Sequence, residues 1–366
     1  MAPSKVYFTN FRTTFQENLI QKLSRLVLTA GMDQIDFKDK YVAIKMHFGE
    51  PGNLAFLRPN YARVLVDIIR DLGGKPYLVD CNTLYIGGRK NGLDHLEAAY
   101  QNGFNPYNTG CHVIIGDGIL GTTETLVPVD GEYVKEAKIG AGVMDADIII
   151  SLSHFKLHEE AGIGGAMKNI GMGCGSRAGK MEMHHGGKPK VEQDLCVGCG
   201  ACGRICAHGA PVLENHKANI DLDRCVGCGR CISVCPMDAI VPIQKEANHI
   251  LNYKIAEYTK AVIQNKPNFH VTLLKDVSPY CDCHSENDVP IVPDVGMYAS
   301  FDPVAIDMAC AEALNAQKVV KNSQLGEAVQ LEDHVKSVHP TTNWRSMIEH
   351  AKKIGLGTDE YELITI

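Results

Sequence analysis

The hydrophobic positions of this chain fall into two kinds of segment, short continuous apolar runs and longer stretches with helical spacing. Ile148-Ile149-Ile150 is a continuous run, which is typical of a strand buried on both faces. Leu19, Leu23 and Leu26 recur at the spacing of one helical face. Because such segments alternate along the chain, the pattern predicts an α/β fold with a mostly parallel, layered sheet and helices.

The periodicity and the flanking residues place the individual elements. Strands are predicted at 41–46, 76–81, 113–116, 147–152 and 271–275, and helices at 60–72, 93–100, 251–263, 303–314 and 346–354. Thr14 and Glu17 have the spacing of a capping box, which predicts that the first helix begins there. Residues 180–190 contain Gly186, Gly187 and Pro189 and are predicted to form a linker.

Composition and charge limit the classes of function. The chain has 366 residues, of which 45% are hydrophobic and 22% are charged, as is ordinary for a globular protein. A net charge of −7 argues against nucleic-acid binding. The N-terminus has no apolar run of signal-peptide length, and no segment approaches the ~20 apolar residues of a membrane span. The sequence therefore predicts a cytoplasmic protein that binds neither nucleic acid nor membrane.

The cysteines carry the clearest chemical signal. Eight of the fourteen form two copies of the pattern C-x2-C-x2-C-x3-C, namely Cys196, Cys199, Cys202 and Cys206, and then Cys225, Cys228, Cys231 and Cys235. This is the bacterial run that holds 4Fe–4S clusters, because a tight loop supplies three thiolates at intervals of three residues. Two zinc sites are the alternative, although zinc leaves no role for a third cysteine at the same interval.

Residues 190–243 resemble a bacterial two-cluster ferredoxin module. The resemblance rests on segments 223–231 and 235–240, while Ala207 stands where that family usually has proline. In that family the fourth cysteine of each run ligates the other cluster. The resemblance implies one 4Fe–4S cluster on Cys196, Cys199, Cys202 and Cys235, and a second on Cys225, Cys228, Cys231 and Cys206. This α+β module would interrupt an α/β domain composed of residues 1–189 and 244–366.

Polar residues gather at the ends of three predicted strands. In a parallel sheet these carboxyl ends meet at one edge, where ligands bind, so we expect the side chains to line one cleft. They are His47 after the first of these strands, Asp80 and Asn82 at the second, and His154, Lys156, His158, Lys168 and Asn169 after the strand at 147–152. Gly164 and Gly165 lie in a short glycine-rich turn of the last segment.

Two kinds of role are predicted for these residues. His47, His154, Lys156 and His158 are catalytic candidates for proton transfer, or could hold a metal or an anion; a solvated sheet edge is the alternative. Asp80, Asn82, Lys168 and Asn169 are candidates for cofactor binding, and the turn at Gly164-Gly165 could present backbone amides to a phosphate or simply reverse the chain. Separately, Cys281, Cys283 and His284 form a compact C-x-C-H, a weak metal motif without a partner pair.

The chain outside the module resembles a domain-of-unknown-function family, number three-six-two. The segments that carry the resemblance appear in the family's order: 45–50, 80–83, 156–158 with 164–169, and 299–307. This family is often fused to the ferredoxin module and is distantly similar to the α/β domain of nickel-pincer lactate racemases. No pincer-lysine motif can be matched in this sequence, so the resemblance implies an architecture and no substrate.

The sequence thus predicts an iron–sulfur electron-transfer protein, and favours an oxidoreductase that passes electrons between two 4Fe–4S clusters and the cleft. A small anionic substrate is expected there, and a flavin is an open alternative as the group that converts one-electron into two-electron chemistry. The other hypothesis is a non-catalytic electron carrier or an assembly or maturation factor that acts on a redox protein partner. Cubane clusters and unpaired cysteines fit a reducing cytoplasm and, by extension, an anaerobe.

Overall fold

The computed structural model describes residues 3–85, 87–185, 187–243, 248–329 and 331–366. Within them the strands are β1 (Ser4–Asn10), β2 (Tyr41–Lys45), β3 (Lys75–Asp80), β4 (Val113–Ile115), β5 (Glu124–Pro128), β6 (Glu136–Gly140), β7 (Ile148–His154), β8 (Lys156–His158), β9 (Gly162–Gly164), β10 (Pro189–Val191), β11 (Pro211–Glu214), β12 (Lys217–Ile220), β13 (Ile240–Pro242), β14 (Asn268–Leu274), β15 (Gly296–Ser300) and β16 (Tyr361–Thr365).

The helices of the same residues are α1 (Leu19–Thr29), α2 (Pro59–Asp71), α3 (Gly92–Gln101), α4 (Pro106–Thr109), α5 (Ala141–Met144), α6 (Ala166–Cys174), α7 (Arg177–His185), α8 (Ala201–Ile205), α9 (Arg230–Ser233), α10 (Asn248–Ile263), α11 (Pro303–Asn315), α12 (Gln324–Glu327), α13 (His334–Val338) and α14 (Arg345–Lys353). In the part of the chain that the structure describes, no helix is both long and apolar enough to cross a membrane.

An eight-stranded sheet forms the centre of the molecule, in the order β16-β1-β15-β14-β7-β2-β3-β4. Strands β14, β7, β2, β3 and β4 run parallel, whereas β15 is antiparallel to both of its neighbours. The predicted α/β fold with a mostly parallel sheet is therefore confirmed. The carboxyl ends of β2, β3, β7 and β14 meet at one edge, and this edge carries the site.

The sheet separates two hydrophobic cores. Strand β7 shows how the division arises, because its side chains point alternately to opposite faces. Ile149 packs in the core that contains α6 and α10, whereas Ile148 and Ile150 pack in the core that contains α1 and α2. Both faces are buried, which explains the continuous apolar run in the sequence.

Residues 189–242 fold as a smaller unit beside the sheet. Strands β10 and β13 pair antiparallel, with Pro189 opposite Pro242, so the chain enters and leaves this unit side by side. Between them lie the β11–β12 hairpin and the short helices α8 and α9. A separate small core joins the unit to Leu84 and Met181 of the larger domain.

Two local predictions were wrong. The first helix begins four residues later than Thr14 and Glu17 indicated, because Asn18 is its N-cap and forms the capping box with Gln21. The predicted linker at 180–190 is helical as far as 185, where the described helix α7 ends. Its sequence looks like a linker, but Met181 and Met183 are fully buried and hold the helix against its neighbours.

Candidate functional site

A cleft with an empty volume of about 670 Å³ lies at the carboxyl edge of the parallel strands. It brings together six of the eight residues predicted to line one cleft: His47, Asp80, Lys156, His158, Lys168 and Asn169. Gly164 and Gly165 of the glycine-rich turn also line it.

The floor of the cleft is a buried network of charges. Lys45 Nζ, at the end of β2, lies 3.0 Å from Asp80 Oδ1 and donates to Asn169 Oδ1 at 2.9 Å. Burial alone would raise the pKa of Asp80, but Lys45, His95 and His47 together outweigh it and hold that pKa well below its usual value. Arg89 pairs with Glu50 at 2.7 Å and faces Asp80 from the other side. Each carboxylate of this network therefore faces a cation.

Asp282 organises a second charge group on the cleft wall. Its carboxylate accepts from His154 Nδ1 and from Lys156 Nζ, each at 2.9 Å. His154 Nε2 contacts the carbonyl oxygen of Lys275 at 2.7 Å. Both ring nitrogens of His154 thus have protein partners, and His154 supports Asp282 from outside the described lining of the cleft. The placement of this catalytic candidate inside the cleft was wrong.

Asn82 also lies outside the described lining. Its side-chain amide donates to Asp117 Oδ1 at 2.7 Å and to the carbonyl oxygen of Gly118 at 2.8 Å. Its backbone N–H donates to the same Asp117 oxygen at 2.9 Å. These contacts fix the loop after β3, so the predicted placement of Asn82 in the cleft was wrong as well.

The glycine-rich turn has a packing role. Gly164 pairs with Lys156 in the β8–β9 hairpin, and a Cβ on Gly165 would lie 2.2 Å from Asp307. Asp307 accepts from the backbone N–H groups of Ala166 and Met167, at 2.6 and 2.9 Å. These first amides of α6 are therefore already bonded, so the turn supports the cleft wall rather than offering those two amides to a phosphate.

Two cysteines of the loop after β14 complete the cleft, and the sequence analysis had not placed them there. Cys281 and Cys283 lie with a ring nitrogen of His158 in a group whose ligand atoms are all within 4.8 Å of one another. Their partner is His158 and not the adjacent His284, which pairs with Glu159 at 2.8 Å. A C-x-C after a fourth predicted strand of the same sheet was the available signal. Such a trio is able to hold a metal ion.

The thiols of this trio differ in their protonation. The thiol of Cys283 donates to Cys281 and lowers the pKa of Cys281 well below its usual value, helped by the charge of Lys168. The same hydrogen bond raises the pKa of Cys283. Lys168 Nζ lies 3.4 Å from Cys281 Sγ. Burial, followed by the charge of Lys168, lowers the pKa of His158 to about 4, so this ring is neutral near pH 7.

The smaller unit contains two cysteine-lined cavities of similar size. One, of about 340 Å³, is lined by Cys196, Cys199, Cys202 and Cys235. The other, of about 360 Å³, is lined by Cys206, Cys225, Cys228 and Cys231. Each cavity therefore takes three cysteines from one run and the fourth from the other.

The donor chemistry around these cavities fits cubane clusters. The backbone N–H groups of Ala218 and Ala239 donate to Cys196 Sγ and Cys235 Sγ, each at 3.3 Å. Gly198 and Gly227 adopt positive φ values, where the ligand loop turns sharply. Four thiols per cavity match the four ligands of a 4Fe–4S cluster, and both of these N–H donors lie at the cavity lined by Cys196 and Cys235.

A groove of about 1700 Å³ separates the smaller unit from the larger domain and adjoins the cleft. Leu84, Tyr85 and Cys283 line both the groove and the cleft. Across the junction, Lys90 pairs with Asp238 and donates to the carbonyl oxygen of Cys235 at 3.2 Å. The groove and the cleft thus share part of their lining.

Comparisons with known proteins place the chain in a family but give no activity. The model of the family described as Domain of unknown function (DUF362) matches residues 42–312. No curated protein matches the sequence significantly.

Two solved structures resemble the chain at a low level. The lactate racemase apoprotein from Thermoanaerobacterium thermosaccharolyticum has a TM-score of 0.36 and 10% identity, over 75% of this chain and 51% of that protein. A structural-genomics protein from Thermotoga maritima has a TM-score of 0.37 and 11% identity, over 73% and 51%. The chain thus spans about half the length of each of these structures.

Proposed function

The chain belongs to the DUF362 family, and from this premise we propose that it is an iron–sulfur oxidoreductase that exchanges electrons between two 4Fe–4S clusters and a substrate in the cleft. The observation that carries the proposal is the pair of four-cysteine cavities beside the cleft. Cubane clusters supply one-electron transfer when bound. The protein would hold them through the eight cysteines of the two runs.

The position of the smaller unit supports transfer into the cleft. Leu84 and Met181 pack in one small core with Cys196, Cys202 and Cys235. Leu84 also lines the cleft. A cluster-binding unit that merely travelled between partners would not need buried contacts with the wall of a cleft.

The lining of the cleft supports a small anionic substrate. Lys168 and Asn169 are half-buried and lie on the cleft surface, whereas Lys45 and Lys156 are buried and face carboxylates. Lys168 is therefore the cation best placed to meet an incoming carboxylate or phosphate. The backbone N–H of Gly49 donates to Nδ1 of His47 at 3.0 Å, so the neutral His47 ring carries its proton on Nε2. Such a ring is a hydrogen-bond donor.

The test is the metal content and spectrum of the full chain purified under strict anaerobiosis. We expect about eight iron and about eight acid-labile sulfide per chain. The same spectrum would reveal a bound flavin, the alternative second cofactor. Stoichiometric zinc without iron after careful reconstitution would refute the proposal. A requirement for anaerobic handling would fit a protein of a reducing cytoplasm, as the sequence predicted.

A non-catalytic electron carrier, or a factor acting on a protein partner, is the second candidate. It is favoured by apolar side chains exposed near the cysteine cavities, which are Leu195, Val197, Val226 and Met237. A redox protein could dock on such a patch. Replacing Lys168 with alanine separates the two candidates, because this change should weaken ligand binding or turnover at unchanged iron content. Unchanged electron transfer to every acceptor in K168A would favour the carrier.

A further inference from the structure

The cleft holds a pair of cysteines that the two cluster runs do not use. We propose that Cys281 and Cys283 form a redox-active dithiol pair, which closes to a disulfide as it reduces a small disulfide substrate bound in the cleft. The inference goes beyond the proposed function and rests on it only for the source of the electrons that reopen the pair.

The local backbone brings the two sulfurs together. The N–H of His284 donates to the carbonyl oxygen of Cys281 at 3.0 Å, which closes a β-turn with Asp282 and Cys283 at its centre. The sulfurs lie within 4.8 Å of each other. Rotation of the two side chains can therefore bring them to the ~2.05 Å of a disulfide bond. Asp282, fixed by Lys156 and His154, anchors the turn on the cleft wall.

Cys281 is placed to be the attacking thiolate. Lys168 Nζ lies 3.4 Å from its sulfur, and a cation at that distance favours the thiolate, which is the nucleophilic form. Another cysteine of the same cleft provides a contrast, since Cys81 donates its thiol hydrogen to the carbonyl oxygen of Cys174 at 3.5 Å. Cys81 is thus held as a thiol, whereas the surroundings of Cys281 favour its charged form.

The same surroundings disfavour a metal ion on this trio. The backbone N–H groups of Glu160 and Ala161 both donate to His158 Nδ1, each at 3.1 Å. The neutral ring therefore carries its proton on Nε2, and neither nitrogen then offers a free lone pair to a metal. Lys168 would also place a positive charge beside any bound cation. A thiolate facing a lysine and a neutral histidine is the more consistent description.

The chemistry can be written as two exchanges and one reduction. The Cys281 thiolate attacks one sulfur of the substrate disulfide; that S–S bond breaks, a mixed disulfide forms, and the first product leaves as a thiol after taking one proton. Cys283 then loses its proton and attacks Cys281, which releases the second thiol and closes the pair. Two electrons, one from each cluster, and one proton reopen it to the Cys281 thiolate and the Cys283 thiol. A dithiol would thus convert one-electron into two-electron transfer without a flavin.

The first experiment asks whether the pair is redox-active and needs no cluster chemistry. The full-length protein is equilibrated anaerobically in dithiothreitol buffers of stepped potential, and each cysteine is then alkylated and located by tandem mass spectrometry. We expect the alkylation of Cys281 and of Cys283 to be lost over the same range of potential, as for a two-electron couple. Cys283→Ser should abolish that loss, while Cys111→Ser, which removes a buried core thiol elsewhere, should leave it unchanged.

Two further measurements bear on the same point. Lys168→Met should slow alkylation of Cys281 by about tenfold at neutral pH, because the thiolate loses its cation. Metal analysis of the same samples tests the alternative, a metal ion held by His158, Cys281 and Cys283. Two thiols that stay reduced at every potential, or one equivalent of metal that disappears in Cys281→Ser, would overturn the proposal.

The second experiment tests the link to the clusters and uses 2,2′-dithiodiacetate as a small anionic disulfide probe. Protein with photoreduced clusters should be reoxidised by the probe with two thiols released per two electrons, over several turnovers. Cys283→Ser should release at most one thiol per chain, and Cys111→Ser should match the wild type. A preparation that lacks iron would refute the proposed function, yet the dithiothreitol series would still decide on the pair. Cluster reoxidation of equal extent in Cys283→Ser would exclude the pair as the relay.

Discussion

The two cysteine-rich regions of this molecule differ in what surrounds their sulfur atoms. In the smaller unit each cavity gathers four sulfurs, and at one cavity the backbone N–H groups of Ala218 and Ala239 donate to two of them. In the cleft, by contrast, Cys281 faces the ammonium group of Lys168. The first region thus groups four sulfurs in each cavity, whereas the second places an ammonium group beside one sulfur.

This difference extends to what holds each region together. The core of the smaller unit is small, and three of its buried members are cysteines of the two runs, with a fourth, Cys231, packed against it. The larger domain packs two cores against an eight-stranded sheet, and Cys281 lies in a turn anchored by an ion-paired aspartate. We expect the smaller unit to depend on iron for its structure and the cleft to be largely independent of it.

Removing iron should therefore unfold the smaller unit and leave the larger domain folded, which is the largest effect we expect. Anaerobic chelation should raise the rate of proteolytic cleavage within 190–243 at least about tenfold, because the apo unit loses its main cross-links. Trp344, the single tryptophan, is buried in the larger domain, so its fluorescence should report no unfolding there. Equal protease resistance with and without iron would remove the contrast.

A single ligand change should sharpen the description of the smaller unit. Cys206→Ser should lower iron from about eight to about four per chain, since one cluster loses a ligand. Because Cys206 lines the cavity of the second run, the paramagnetic spectrum of the surviving cluster should match that of Cys225→Ser. Cys196→Ser is the matched control from the same run. A spectrum like that of Cys196→Ser would mean that the ligands are not crossed.

The two regions also differ in how far their sequence determines them. The strands at Tyr41–Lys45 and Lys75–Asp80 and the helix Pro303–Asn315 were predicted to within a residue or two, because period and flanking residues are local signals. The eight cluster cysteines were named from spacing alone, since a metal loop is also local. Whether those cysteines bind iron stays a prediction.

The cleft was only partly predictable. Three polar strand ends were expected to converge, and most of their residues do. The pairing of His158 with Cys281 depends on how a loop of about twenty residues after β14 folds back, which no short-range pattern records. Asn82 and His154 were misplaced for a similar reason, because each bonds to a carboxylate that is distant in sequence, Asp117 and Asp282, and neither lies in the described lining of the cleft.

Lowering the pH should reduce the free energy of unfolding of the larger domain through one buried histidine. Burial lowers the pKa of His270, in β14 of the central sheet, to about 3, whereas an unfolded histidine titrates near 6.5. The unfolded state thus binds the extra proton between those values, so this contribution to stability is present above about pH 6.5 and is lost as the pH falls. The loss is at most about 1.4 kcal/mol per pH unit.

The readout is the slope of unfolding free energy against pH, followed by Trp344 fluorescence. His270→Gln should flatten that slope between pH 4 and pH 6.5, whatever it does to stability at pH 7. His208→Gln is the control, because His208 is exposed in the smaller unit. An unchanged slope in His270→Gln would show that other groups govern the acid sensitivity of the sheet.

The smallest expected effect concerns the contact that joins the two regions. Lys90 pairs with Asp238 across the junction, and both side chains are partly exposed, so the pair is worth roughly 0.5–1 kcal/mol. Lys90→Met should therefore speed the chelator-driven loss of cluster absorbance about two- to fivefold, because the unit opens from the cleft wall more often.

Lys90 also donates to the carbonyl oxygen of Cys235, so a direct effect on this cysteine has to be distinguished from the loss of the ion pair. Lys217→Met is a matched control, since Lys217 donates to the carbonyl oxygen of Cys196 from inside the unit. In an Asp238→Asn background, Lys90→Met should add little further acceleration, as the ion pair is already gone. Full additivity of the two changes would mean that the pair does not hold the cluster unit against the cleft.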